Sequence, residues 1–160
     1  YNMLLVASNA GQATPAGVPI ISFVHWHTTS PPPQADRAVE QMSPTAYQEL
    51  LWHMLLRGTD TFYLWCPPEE NAEECRLVQE VYAAAQQYGE FLERGAPVTF
   101  VVPKQPGTVV SGLRLGDRLL VRRSDFAGAT EPVELAVGSQ KIAVPALPGK
   151  CQILRLKPVE

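Results

Sequence analysis

The sequence predicts an α/β fold followed by an all-β region, with the change falling near residue 96. Three observations predict it. Apolar runs at 19–25 and 61–66 each end in aromatic or imidazole side chains and then break into proline-rich loops. Helical periodicity lies between the two runs and again after the second, the order of consecutive β/α units in a parallel sheet. Beyond Gly95 the period changes from helical to alternating, with turn signals at a spacing of about ten residues.

Taken in order, residues 2–10 carry Met3, Leu4, Leu5 and Val6 and read as the end of a helix that Gly11 stops. With Tyr1 at the start, that reading makes the chain the tail of something longer. The turn 13–17 leads into the near-continuous apolar run Pro19–His25, the pattern of a strand buried on both faces. Pro31-Pro32-Pro33 ends it, and a polar loop runs to Met42, long for a compact α/β unit. Ser43 and Pro44 are an N-cap and a first-turn proline. Leu50, Leu51, Met54 and Leu55 then repeat at helical spacing until Gly58.

A second strand, Thr61–Cys66, follows and stops at Pro67-Pro68. Asn71 can cap the next helix, whose first turn holds Glu73 and Glu74 at the positive end of its dipole. Leu77, Val81, Ala84, Ala85, Tyr88, Phe91 and Leu92 give that helix an apolar stripe ending at Gly95. Six short strands are then expected, at 98–102, 109–115, 118–123, 133–137, 141–144 and 152–156. Gly116-Asp117 and Gly138-Ser139 are turn candidates between them, and the set reads as a small antiparallel sandwich.

Composition excludes several classes. A hydrophobic fraction of 46% with 18% charged residues fits a globular core and not a disordered chain. A net charge of −3 with dispersed basic residues gives no footprint for nucleic acid. No apolar stretch reaches the roughly 20 residues that span a bilayer, so no membrane partner is expected. Cys66, Cys75 and Cys151 show no metal-ligand spacing and read as free thiols, although Cys66 and Cys75 flank one helix start. Nucleophile-elbow, phosphate-loop and dinucleotide motifs are absent, and no cofactor is implied.

The chemistry-bearing residues sit at the two strand ends, where sites are built in parallel α/β folds. His25 and His27 alternate with Trp26 along the first strand. A His-x-His pair can bind a metal if other strands add ligands, which would make a metal-dependent hydrolase, but no supporting ligand is visible. The same histidines also read as hydrogen-bonded rim residues with a structural role. A third reading is contact with a polyhydroxylated ligand: aromatic rings cover sugar C–H faces and imidazoles donate to hydroxyls. Trp26, His27, Tyr63 and Trp65 supply that combination. Glu69 lies beside the second strand end and can reach a pocket mouth, although acids beside a helix start also suit the dipole. His53 and Trp52 read as packing residues within a helix, and Arg122, Arg123 and Asp125 as a solvated face.

The run from Tyr47 through Leu50-Leu51-Trp52-His53 and Arg57-Gly58-Thr59-Asp60 to Tyr63-Leu64-Trp65 resembles the closing units of glycoside-hydrolase (β/α)₈ barrels. In those enzymes a helix ending in such a glycine-threonine-aspartate turn leads into the eighth strand, which carries a tryptophan at the sugar site. Residues 110–121 are similar to the small β-sandwich that often follows such barrels. The resemblance implies that residues 1–95 are the last two β/α units of a TIM-barrel-like sheet, that residues 96–160 are an accessory β-sandwich, and that the amino-terminal barrel portion is missing. It implies a carbohydrate substrate and transfers one role, that of the strand-eight aromatic, to Trp65; His25, Trp26, His27, Tyr63 and Glu69 complete the binding set on the chemistry and position of their own side chains. The strand in seventh position lacks the glutamate that many retaining members carry there and ends in His25-Trp26-His27. The carboxylates then belong upstream, or the protein is a non-catalytic carbohydrate-binding or structural relative with a degenerate barrel.

Overall fold

The computed structural model describes residues 2–26, 42–64, 72–105, 107–126, 128 and 132–157. It is a mixed α/β arrangement with one parallel and two antiparallel sheets. Helix α1 (Asn2–Ala13) precedes strand β1 (Ile21–Val24), helix α2 (Pro44–Leu55) and strand β2 (Thr61–Leu64). The two strands pair in parallel with Phe23 opposite Tyr63, as the β/α order predicts.

Helix α1 runs straight through Gly11, against the expectation that this glycine ends it. The reason is close packing. A Cβ at Gly11 would lie 2.0 Å from the Arg57 carbonyl oxygen and 2.8 Å from the Phe100 ring. Gly11 is therefore a contact glycine at the crossing of α1 over the end of α2.

Helix α2 starts where its local signals place it. Ser43 accepts from the Ala46 N–H, and Pro44 fills the first turn. Its buried residues are Tyr47 and every position from Leu50 to Leu55, so it is enclosed on all sides. The glycine-threonine-aspartate turn that follows has a structural explanation. Gly58 takes φ 97°, where a side chain is strained. Thr59 Oγ1 lies 2.8 Å from Ser22 Oγ, and Asp60 Oδ2 accepts from the Ile20 N–H at 2.6 Å. Both contacts tie the start of β2 to β1.

The single helix expected up to residue 94 is divided. Helix α3 (Ala72–Ala85) gives way to a 3₁₀ turn (Gln86–Tyr88) and then helix α4 (Gly89–Arg94). Tyr88 meets the edge of Trp52 at 6.1 Å, and the redirected last turn brings Phe91 against Leu56, Leu113 and Leu120. Asn71, the expected cap, lies outside the described residues.

The β region holds β3 (Ala96–Pro97), β4 (Thr108–Leu115), β5 (Arg118–Asp125), β6 (Val133–Val137), β7 (Gln140–Val144) and β8 (Cys151–Arg155). One sheet runs β3-β4-β5-β8, and β6 and β7 form a separate hairpin. The strand expected at 98–102 shrinks to the pair Ala96–Pro97 plus the Val98 N–H bonded to the Gly112 carbonyl. Prolines at 97 and 103 have no N–H to extend that ladder. Gly116 and Gly138, at φ 62° and 61°, supply the positive φ at the first turn position of their hairpins.

Alternation along β5 divides its neighbours. Leu119 and Val121 pack on the hairpin with Leu135, Val137 and Val144. Leu120 faces Leu56 and Phe91 on the helices, and Val109 of β4 joins the main core around α2. The four-stranded sheet thus lies between a helical layer and the hairpin. Arg122 and Arg123, expected on a solvated face, are 3% and 2% exposed. Each is buried because a carboxylate faces it. Arg122 meets Glu49 of α2, and Arg123 meets Asp125.

Candidate functional site

The carboxyl ends of β1 and β2 carry the candidate site. The burial pattern of β1 alternates, with Ile21 and Phe23 on an open face and Ser22 and Val24 against the helices. On β2, Thr61 and Tyr63 share that open face. Phe23 is 61% and Tyr63 55% exposed, and their rings lie 4.8 Å apart in a tilted pair. Two neighbouring aromatic rings thus form an exposed apolar platform on the open side of the parallel pair.

Trp26 goes the other way. Its side chain belongs to the buried core, its ring stacks at 6.3 Å from Tyr47, and its indole N–H donates to the Met42 carbonyl at 2.8 Å. The indole therefore anchors the helix side of the strand end. His25, at the last position before it, is partly exposed. The structure thus separates His25 and Tyr63 from Trp26. His27, Trp65 and Glu69 lie outside the described residues, as do Cys66 and most of the long loop after the first strand. Cys75 and Cys151 are free thiols.

Beneath the strand end lies Glu74, a residue whose place in the sequence suggests only a partner for the helix dipole. Glu74, in the first turn of α3, is fully buried. Its Oε1 accepts from the Trp26 N–H at 2.8 Å and from the Tyr47 hydroxyl at 2.5 Å. Its Oε2 lies 3.7 Å from His25 Nδ1. Burial, and then the bond to Glu74, push the Tyr47 phenol well above its ordinary range, so it stays a donor at any physiological pH. Glu74 thereby joins α2, α3 and the end of β1, with the His25 ring beside it. A first-turn glutamate of this kind looks the same in sequence as one that only complements the dipole.

At the outer edge of β2 the Phe62 N–H, which points away from β1, donates to the Tyr82 hydroxyl at 2.8 Å, and that hydroxyl donates to Thr61 Oγ1. A side chain of α3 thus occupies the hydrogen-bonding position that a further strand would take at this residue.

Two larger concavities lie in the β region, away from the rim. One of about 720 Å³ is bounded by Val98, Phe100, Val101 and Leu135. The other, about 520 Å³, lies between the start of α2 and the end of β5, beside Glu49, Ser124 and Phe126. Its two carboxylates are already engaged, with Glu49 bonded to Arg122 and Ser124, and Asp125 to Arg123 and Thr108. Among the described residues no group of three or more His, Cys, Asp or Glu side chains is placed to hold a metal ion. Among them, too, no helix is long and apolar enough to cross a membrane. Comparison with protein families, with curated proteins and with solved structures finds no match to this chain.

Proposed function

We propose that this chain forms the sugar-binding rim and the accessory β region of a (β/α)₈-barrel glycoside hydrolase acting on an oligo- or polysaccharide. The observation that carries this reading is the exposed Phe23–Tyr63 pair on the open face of two parallel strands, with His25 at the end of one of them. A barrel needs more parallel strands than these two, so this reading calls for further β/α units beside them. Those units form the missing amino-terminal barrel portion. Tyr63 and, two residues on in the sequence, Trp65 supply stacking surfaces. His25 donates to hydroxyls, and by sequence His27 and Glu69 are the further candidates for polar contact. Glu74 is committed to Trp26 and Tyr47, so the acid and base that break a glycosidic bond belong to the further units.

A second reading is favoured by one contact. The Tyr82 hydroxyl on the outer edge of β2 suits a sheet that does not continue there. It fits a non-catalytic carbohydrate-binding protein with a degenerate barrel.

Titration with oligosaccharides of several sugar types, followed by intrinsic tryptophan fluorescence, tests both readings for binding. Saturable quenching or enhancement that Trp65→Ala removes is the expected result. No response to any sugar, or an unchanged response in that variant, sinks the carbohydrate reading. Chromatography of the same mixtures separates the two readings. The second predicts sugars bound and never cleaved, even when the further barrel units are supplied.

A further inference from the structure

A second polar cluster, unrelated to the rim, lies buried between α2 and the β4–β5 sheet. His53 is fully buried, with Nδ1 2.9 Å from Ser111 Oγ on β4 and Nε2 2.9 Å from Ser124 Oγ on β5. The surrounding bonds determine which ring nitrogen carries the proton. Ser124 donates to Glu49 Oε2, so its oxygen accepts from His53 and Nε2 must bear hydrogen. Ser111 accepts from Arg57 Nε at 2.7 Å, which leaves its own hydrogen for Nδ1. The result is one directed chain: Arg57 donates to Ser111, Ser111 to His53, His53 to Ser124, and Ser124 to Glu49. Arg122 closes the far end with paired bonds to Glu49 at 2.6 and 2.8 Å.

We propose that His53 is an acid-sensitive latch, whose uptake of a proton drives α2 and the β4–β5 sheet apart. A proton on Nδ1 would turn that nitrogen from acceptor to donor. Ser111 would then face two donors, Arg57 and His53, and its own hydroxyl hydrogen would lose its acceptor. A third positive charge would also enter a seam that already holds Arg57 and Arg122. Among the described residues the charged and titratable groups facing the imidazole are Glu49 from its own helix, Arg57 just past the end of that helix, and Arg122 from β5. From β4 comes only the neutral Ser111, and Cys151 of β8 touches Arg122 from behind. Arg123 and Asp125 point to the opposite face of β5. One carboxylate already shared with Arg122 and Ser124 cannot neutralise the addition. Burial first, then Arg57 and Arg122, hold the His53 imidazole well below its ordinary range.

The sign follows. The folded seam refuses a proton that the opened chain accepts near pH 6.5, so closure is full above that pH and is lost as pH falls below it. Each pH unit below about 6.5 raises the opening constant up to tenfold, which sets an upper limit of roughly 30-fold between pH 7.5 and 5.0.

Hydrogen exchange on the full chain at pH 7.5 and 5.0, corrected for intrinsic rates, measures opening at the α2 and β4–β5 amides. The expected result is a parallel drop of up to about 30-fold in wild type and a much smaller one in His53→Gln, with His25→Gln and His27→Gln resembling wild type. An equal drop in His53→Gln, or none in wild type, overturns the latch. If His53→Gln does not fold, ¹⁵N NMR of wild type decides. An Nε2–H tautomer that stays neutral to pH 5 supports the proposal, and an Nδ1–H tautomer or titration near 6.5 overturns it.

Discussion

Replacing Arg57 by methionine tests the seam at its most connected residue. The guanidinium is fully buried and serves only neutral acceptors among the described residues. Nε donates to Ser111 Oγ at 2.7 Å, Nη1 to Ser8 Oγ at 2.7 Å, and Nη2 to the carbonyls of Val101 and Val110 at 2.9 and 3.2 Å. Four acceptors from three other parts of the fold lose a charged donor at once. Each buried acceptor left unmade costs about 1–3 kcal/mol. Removing the cation returns part of that, because burying it was itself costly. Burial alone already lowers the Arg57 pKa to about 10. Ser8 keeps its bond to the Leu4 carbonyl, which trims the loss further. A net destabilisation of about 3–5 kcal/mol follows, from several buried acceptors losing their donor at about 1–3 kcal/mol each, less the recovered cost of burying the cation. For a chain of 160 residues that is a fall of about 10–15 °C in Tm. Urea unfolding should show a lower midpoint with an unchanged slope. A loss below about 1 kcal/mol would refute the reasoning, since it would mean that these acceptors find other partners at little cost.

Three further substitutions probe separate contacts. Gly11→Ala should destabilise by about 2 kcal/mol in thermal melts although alanine is the better helix former, because its Cβ meets the Arg57 carbonyl; a gain in Tm would contradict the packing argument. Glu49→Gln leaves the buried Arg122 guanidinium without its carboxylate and should cost about 3–5 kcal/mol in urea unfolding, where a near-neutral result would argue against the pair. Tyr82→Phe removes the partner of the Phe62 N–H and should cost about 1–2 kcal/mol by calorimetry, with no change expected if solvent or another group already serves that edge.

Legibility in the sequence followed the range of the determining contact. Helix α2 and the paired strands were readable because Ser43, Pro44 and Gly58 act through their immediate neighbours. The hairpin turns at Gly116 and Gly138 were readable for the same reason. Gly11 misled because a packing glycine and a terminating glycine look alike until the crossing helix is placed. Arg122-Arg123-Ser124-Asp125 looks like a wet strand, yet its partners Glu49 and His53 lie about seventy residues earlier. Only the register of β5 against α2 turns that stretch into an interior seam. At the rim, the near-continuous apolar run at 19–25 reads as a strand buried on both faces, yet Ile21 and Phe23 of β1 lie on an exposed face. The inward turn of Trp26 depends on Tyr47 and Met42, which no local pattern announces.

The carbohydrate reading stands on the open aromatic face, and one measurement addresses it directly: amide and aromatic NMR shifts during titration with oligosaccharides, repeated with Tyr63→Ala. The account predicts saturable shifts clustered at Phe23, His25 and Tyr63, and affinity at least tenfold weaker in the variant, since a stacked ring contributes roughly 1–3 kcal/mol when well buried by its ligand. Shifts confined to the β region, or no shifts with any sugar, would contradict it.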